Sequence, residues 1–505
     1  MPDLDPTFSA MPLPELASAA LQRAAELGAE HADFRLERQR LGSVRLRDAR
    51  LDSTSEHEDV GLSVRVVHDG TWGFASGITR TVQGARALAE QAVATARVSR
   101  ALRRAAVVLA PEPVYADVSW VSAYDLDPFA VPDADRVGRL VELSERLLAA
   151  EGVDHVDASV TYVLENKFYA DLAGTMTTQQ RMRIEPEFTA LHVDRAEGTF
   201  FSMRTLAPPA GRGWEYLTGT GWDFDAELAE LPGLLAEHVV APSVQAGRYD
   251  LVIDPSNLWL TIHESIGHAT ELDRALGYEA AYAGTSFATI DRLGTLKYGS
   301  PVMNVTGDRT VEHGLATVGW DDEGVAAQEF DLIADGVLVG YQLDRQTAAA
   351  NASVLGRERS NGCAYADSAG HIPMQRMPNV SLQPAPDGPS LEELVSGVEH
   401  GLLIKGDRSW SIDMQRFNFQ FTGQQFHRIE NGRLVGQVRD VAYQASTTEF
   451  WGAMEAVGGP QTYLLGGALN CGKGQPGQSG AVSHGAPAAL FRGVNVLNTR
   501  EEGGR

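Results

Sequence analysis

Asp250-Leu251-Val252-Ile253-Asp254-Pro255-Ser256-Asn257-Leu258-Trp259-Leu260-Thr261-Ile262-His263-Glu264-Ser265-Ile266-Gly267-His268 is the stretch on which the reading of this chain turns. Asp250 to Ile253 is a short apolar run of strand type. Asp254 is placed to cap a helix that opens on Pro255, where a missing N–H costs nothing. Leu258, Ile262, Ile266, Ala269, Leu272 and Leu276 then recur every three or four residues, so one stripe faces a core, and Gly277 marks the end.

His263-Glu264-Ser265-Ile266-Gly267-His268 rides on that helix. Common zinc peptidases space their two histidines four apart, on one helix face. Here the spacing is five, which in a regular α-helix turns the two positions about 140° away from each other. Two such imidazoles cannot share an ion. A π-type turn, with its wider closure, brings them to one side, and such turns gather at functional sites. The spacing therefore predicts a π-type turn between His263 and His268, with Gly267 inside it to relax the backbone and Glu264 facing the open side of a metal. A regular helix with the rings pointing apart makes the pair a coincidence among 13 histidines.

A catalytic zinc keeps three protein ligands and an open position, so a third ligand must come from elsewhere. Cys471 sits in Gly466-Gly467-Ala468-Leu469-Asn470-Cys471-Gly472-Lys473-Gly474, where Lys473 is expected to favour the thiolate. Cys363, in Asn361-Gly362-Cys363-Ala364, is its rival, and the residues alone leave both open. The Gly467–Lys473 loop also approaches a phosphate-binding pattern. Gly474 stands where that pattern needs Ser or Thr, and Gly474-Gln475-Pro476-Gly477 cannot open a helix, so a nucleotide site is excluded.

The rest of the chain reads as two regions of an α+β protein. In the first, helices from Leu13 to Leu27, from Thr81 to about Arg97, from Asp133 to Ala150 and from Asp225 to Val239 alternate with strands over Ser43–Ser76 and His155–Leu206. In the second, turn signals such as Asp321-Asp322-Glu323-Gly324, Asp335-Gly336 and Asn431-Gly432 separate short strands. The expected division is an N-terminal α/β region, 1–240, with mixed sheet and helices, and a mostly antiparallel C-terminal β region, 241–505, carrying the metal helix. A further split of the first into about 30–100 and 125–240 is left open.

With 505 residues, 43% hydrophobic and 22% charged, the chain can bury a large core without disulfides. Two cysteines in that length point to a reducing compartment. Met1-Pro2-Asp3-Leu4-Asp5-Pro6 lacks the basic start and apolar run of a secretory signal, and no stretch approaches the roughly 20 apolar residues of a membrane helix. A cytoplasmic protein with no membrane association is expected. The net charge of −25 repels phosphate backbones. Arg35, Arg38, Arg40, Arg45, Arg47 and Arg50, interrupted by acids and without interleaved aromatics, read as a solvated strand face, so no direct nucleic-acid contact is expected.

Several of these segments together resemble the TldD/PmbA family of zinc peptidases, and within it the TldD-type catalytic subunit. The pieces are Gly61-Leu62-Ser63-Val64-Arg65-Val66 with Gly70-Thr71-Trp72-Gly73-Phe74-Ala75, the His263–His268 motif, and Asp321-Asp322-Glu323-Gly324. Pro373-Met374-Gln375-Arg376-Met377-Pro378-Asn379 and Cys471-Gly472-Lys473-Gly474-Gln475 complete them. The segment Ser360-Asn361-Gly362-Cys363-Ala364-Tyr365 departs from the family pattern. The resemblance implies that His263, His268 and Cys471 bind zinc, with Glu264 as general base for a zinc-bound water. It also implies hydrolysis of peptides and unfolded proteins, in a dimer with a related non-catalytic (TldE/PmbA-like) subunit or as a homodimer. Two other readings stand beside it: a metal-stabilised peptide-binding or modulator protein without turnover, and a metal hydrolase for small amides or esters.

Overall fold

Two-residue turns with both residues in the left-handed region organise both halves of the chain. Asp69-Gly70, Asp335-Gly336 and Asn431-Gly432 all take positive φ, which matches the twist of the hairpins they close. The computed structural model describes residues 3–502. Met1 and Pro2 of the N-terminal stretch lie outside them.

In the first half, strands run in the order Thr71–Gly77, Arg50–His68, His31–Arg47, His155–Asp171, Met176–Asp194 and Val118–Val121, with Thr199–Arg204 also paired to Met176–Asp194. Only the Val118–Val121 pairing is parallel. The helices Leu13–Glu26 and Val82–Ser99 pack with Phe34, Leu36, Leu62, Val64 and Val66 in one core. Asp133–Leu148 and Phe224–Val240 cover Val160, Tyr162, Ile184 and Phe188 in another. Thr81 caps the helix Val82–Ser99 by accepting from Gly84 N–H.

In the second half, His400–Ile412, Gly247–Ile253, Ala489–Asn498, Val441–Ser446 and Asn418–Glu430 follow one another, and the last pairs back to the first, closing the sheet on itself. Arg433–Gln437 and Met454–Val457 are attached at its margins. The helix opening at Pro255 packs Leu258 and Ile262 into one core with Phe419, Phe421 and Tyr443. The molecule is thus α+β, with the metal motif in its strand-rich half. Among the described residues no helix is long and apolar enough to cross a membrane.

Two expectations change. The helix is not continuous to Leu276: α-geometry ends at Ile262, and Glu271 is extended, with φ −70° and ψ 115°. Glu271 leaves the helix because its backbone bridges to Gln342. The arginines from 35 to 50 do not form one solvated face. Arg45, Arg47 and Arg50 are exposed, but Arg35 is buried against the second half of the chain, and Arg38, on the other face of the strand, is buried beneath the N-terminal segment. Arg35 pairs with Asp322 and donates to Ser368 O and His371 O, while Arg38 pairs with Asp5 and Asn166. Asp321-Asp322-Glu323-Gly324 is therefore both a turn and a seam. Asp322 takes Arg35 and Lys167, and Glu323 takes Arg65.

Candidate metal centre

Residues 263–267 form a π-turn, closed by His268 N–H donating to His263 O. The wider ring leaves carbonyls to be satisfied by side chains. The Tyr298 hydroxyl donates to Ser265 O, Gln342 Nε2 to Gly267 O at 2.6 Å, and Thr270 Oγ1 to Ile266 O at 2.9 Å. The expected turn is present and Gly267 lies inside it. The reason for glycine differs, however. Gly267 has φ −51°, open to any residue, but a Cβ there would stand 2.5 Å from Met377 Sδ. Space beside Met377, not backbone freedom, is what glycine supplies here.

The turn brings the two rings to one side, with centroids 4.7 Å apart. Cys471, on the strand Leu464–Lys473, completes the group: Sγ lies 3.7 Å from His268 Nε2, and the ligand atoms of the three residues fall within 4.8 Å of one another. Tetrahedral zinc with N at about 2.0 Å and S at about 2.3 Å puts such atoms roughly 3.5 Å apart, so the donor set fits that ion. Cys363 is elsewhere, buried in the core, where burial pushes its thiol up to about 12.

The hydrogen bonds around the rings fix which nitrogens are free. His484 Nδ1–H donates to Val380 O at 2.9 Å, so its Nε2 is an acceptor and takes the Nδ1–H of His263 at 2.7 Å. His268 Nδ1–H donates to Glu271 Oε2 at 3.0 Å. Both ligand rings therefore offer Nε2 with its lone pair, the usual arrangement of second partners around metal-bound histidine. Burial also holds His263 and His484 below the ordinary imidazole range, in the neutral form a metal requires. Glu271 is in turn held by Lys473 at 3.0 Å and Arg274 at 3.3 Å.

Lys473 does not act on Cys471 as expected. Its ammonium is taken by Glu271, Asp273 and Glu279. The cation beside the cysteine is Arg376, whose Nη2 donates to Cys471 O at 2.6 Å. Burial opposes ionisation of the Cys471 thiol, but Arg376 and His268 outweigh it and hold the thiol below its ordinary range.

His263, Glu264, His268 and Cys471 line a cleft of about 630 Å³, together with Trp259, Arg204 and Asp407. Glu264 is paired with Arg416, at the tip of the hairpin joining His400–Ile412 to Asn418–Glu430. Burial acts against the Glu264 carboxylate, yet His263, His268 and Arg416 hold it below its ordinary range, so it is ionised at neutral pH. His484, Glu271, Arg376 and Arg416 were not singled out as site residues from the sequence. Glu271 had a local signal, three residues past His268, and Arg376 lay in the quoted Pro373–Asn379 segment.

The model of the PmbA/TldA metallopeptidase C-terminal domain matches residues 246–498, and that of PmbA/TldA metallopeptidase domain 1 matches residues 32–96. A protein named metalloprotease from Methanothermobacter thermautotrophicus is 28% identical over 471 residues, covering 93% of this chain and 96% of its own. A zinc metalloprotease TldD homolog from Saccharolobus solfataricus is 25% identical over 276 residues, 54% of this chain and 57% of its own. The structure of TldE from Thermococcus kodakarensis superposes with a TM-score of 0.69 at 16% identity, covering 94% of this chain and 98% of that one.

Proposed function

The chain belongs to the TldD/PmbA family of metallopeptidases, and from that premise we propose that it is a zinc-dependent peptidase of the TldD type, acting on peptides and unfolded proteins. The observation that carries this reading is the convergence of His263, His268 and Cys471 on the wall of an open cleft, with Glu264 beside them.

His263 Nε2, His268 Nε2 and Cys471 Sγ are the ligands. Zinc bound there supplies Lewis acidity toward a carbonyl and toward water. Glu264 serves as general base, accepting a proton from the attacking water and returning it to the leaving amine. Arg416 orients the Glu264 carboxylate, and the Glu271 and His484 contacts hold the ligand rings. Residues 241–505 form the catalytic region in this reading. The likeness to TldE supports a second, related subunit as partner. The two free cysteines fit a reducing cytoplasm.

The test is metal analysis with a peptidase assay on a denatured protein. Glu264→Gln should keep about one zinc per chain and lose at least about 100-fold in turnover. Cys471→Ala should lose the ion. Normal turnover in the first variant, or full metal in the second, removes the assignment. Zinc binding without any hydrolysis by the wild type leaves a peptide-binding modulator instead.

A further inference from the structure

Arginine is an unusual residue for the tip of the hairpin that reaches the metal centre. Arg416 has φ 61°, in the left-handed region that a Cβ disfavours and glycine adopts freely. Most other non-glycine residues found there are Asp or Asn, whose short side chains tolerate it. The tip is pinned around this conformation. Asp413 Oδ1 accepts from Gln415 N at 3.0 Å and Phe417 N at 2.8 Å, and Thr447 Oγ1 donates to Arg416 O at 2.7 Å. Thr285 N donates to Met414 O at 2.8 Å, and a Cβ on Gly284 would collide with that carbonyl. A long residue held in this strained conformation on a fixed tip points to a use for its side chain.

That side chain lines the cleft and is 15% exposed. Its Nη1 donates to Glu264 Oε2 at 2.5 Å. Nη2, the other end of the fork, has no hydrogen-bond partner among the described residues, and neither has Nε, which is buried. Burial acts against the guanidinium charge, and together with Arg274 it outweighs the support of Glu264. One carboxylate therefore does not use up this group. The other guanidinium of the cleft, on Arg204, is taken by Asp407 at 2.7 Å. Glu185 and Glu187 also line the cleft, so acidic groups are disfavoured elsewhere along it. Among the described residues, Arg416 is the arginine of the cleft wall that can still receive a carboxylate, whose planar shape its fork matches.

We propose that Arg416 is a specificity-determining residue whose Nη2 end takes one carboxylate of the substrate, beside the scissile bond, while Nη1 stays on Glu264. The carboxylate comes from an Asp or Glu side chain or from the C-terminus of a short peptide. The inference rests on the peptidase reading and narrows it to peptides with one acidic group next to the bond that is cut.

The experiment uses the full-length, zinc-loaded protein and alanine peptides carrying Glu or Gln at each position in turn, with a free or amidated C-terminus. Glu over Gln marks a side-chain carboxylate, and free acid over amide marks the terminus. Cleaved bonds are mapped by mass, and versions N-methylated at that bond, which resist cleavage, give binding by calorimetry. Next to the cleaved bond, the carboxylate form is expected to gain about tenfold in kcat/KM and in affinity, the worth of one charge-assisted pair. Arg416→Met should bring both ratios to about one, whatever it does to turnover itself. Arg416→Lys, which keeps the charge without the fork, should fall between, and it decides if the methionine variant does not fold. No preference in the wild type overturns the proposal. So does a preference that survives Arg416→Met, because the carboxylate then sits elsewhere, the metal included. Should the wild type cut none of these peptides, the peptidase reading fails by itself, and calorimetry on the intact peptides still decides whether Arg416 takes the carboxylate.

Discussion

Two buried charge networks in this molecule are built in opposite ways. Behind the metal ligands, Glu271, Asp273, Arg274 and Glu279 come from one short stretch of chain, and Lys473 is the cross-link that joins them. At the seam, Asp33, Arg35, Glu37, Arg65, Glu165, Lys167, Asp322 and Glu323 come from strands and turns far apart in sequence. The first network faces a cleft and ends on an imidazole, so its effect is to orient a ligand. The second faces no ligand and joins two sheets. A buried ion pair is weak evidence for net stability, but breaking one partner is costly. The two networks should thus fail differently: the first in metal affinity, the second in folding.

The largest expected effect tests the seam. In Asp322→Asn, Arg35 and Lys167 lose a shared carboxylate that also accepts from Ala366 N at 2.7 Å. The predicted loss is about 3–5 kcal/mol of stability, with zinc content per folded molecule unchanged. Denaturant unfolding and metal analysis on the same sample check both halves of this statement. A variant as stable as the wild type would show that the seam is ornamental.

That contrast also explains what was legible in the sequence. The π-turn followed from a spacing of five on a helix, and Asp69-Gly70 and Asn431-Gly432 announced their hairpins, because each depends on neighbours in the chain. His484, Arg376 and Arg416 reach the metal group from the strand Gln478–Ala486, from the 373–379 segment and from a hairpin tip. No local spacing marks them, although Arg376 lies in the Pro373–Asn379 segment that carried part of the resemblance. Arg35 and Arg38 looked like a solvated stripe for the same reason: the second half that covers Arg35 and the N-terminal segment that covers Arg38 are invisible to periodicity. The end of the metal helix was misplaced because Leu272 and Leu276 keep the apolar rhythm, while Glu271 breaks the backbone for a partner, Gln342, far along the chain.

The seam should also respond to pH. Burial pushes the Glu37 carboxyl up to about 7, with Glu165 and Asp322 adding to the rise and Lys167 opposing it. An unfolded glutamate titrates near 4.3, so the folded state holds a proton that the unfolded state has released. The stability this contributes is complete below about pH 4 and is lost as pH rises through about 7. Glu37→Gln removes the dependence. From pH 4 to pH 8, its stability relative to the wild type should improve by about 3 kcal/mol. A constant difference across that range contradicts the assignment. The metal-side network carries no such expectation for Glu271, which Lys473 and His268 hold well below its ordinary range against its burial.

A smaller effect is expected where the first network meets the ligands. Glu271→Gln replaces the carboxylate that accepts from His268 Nδ1–H with a neutral amide, and His484→Phe removes the acceptor of His263 Nδ1–H. They leave His263, His268 and Cys471 in place. Loss of such partners costs about 10–100-fold in metal affinity. Competition with a chelator measures it. Unchanged affinity in both variants would mean that the hydrogen bonds of 3.0 Å and 2.7 Å do not orient the rings.

The smallest effect tests the turn itself. Gly267 has ordinary helical φ, so what a β-branched residue brings to this turn is first of all bulk. In Gly267→Val, the new Cβ meets Met377 Sδ at 2.5 Å and His484 Cε1 at 3.5 Å. The methionine is flexible and can give way, which limits the cost. The histidine cannot move without disturbing the bond it accepts from His263. Overpacking of this kind usually costs about 1–3 kcal/mol. Here most of it should appear as a roughly tenfold loss of zinc affinity, since the strain is relieved when the His263 ring is free to turn. Gly267→Ala places the same Cβ with less bulk beyond it and should fall between the wild type and valine. If valine binds zinc as tightly as glycine, the contact with Met377 and His484 does not constrain the centre, and the π-turn alone positions the two rings.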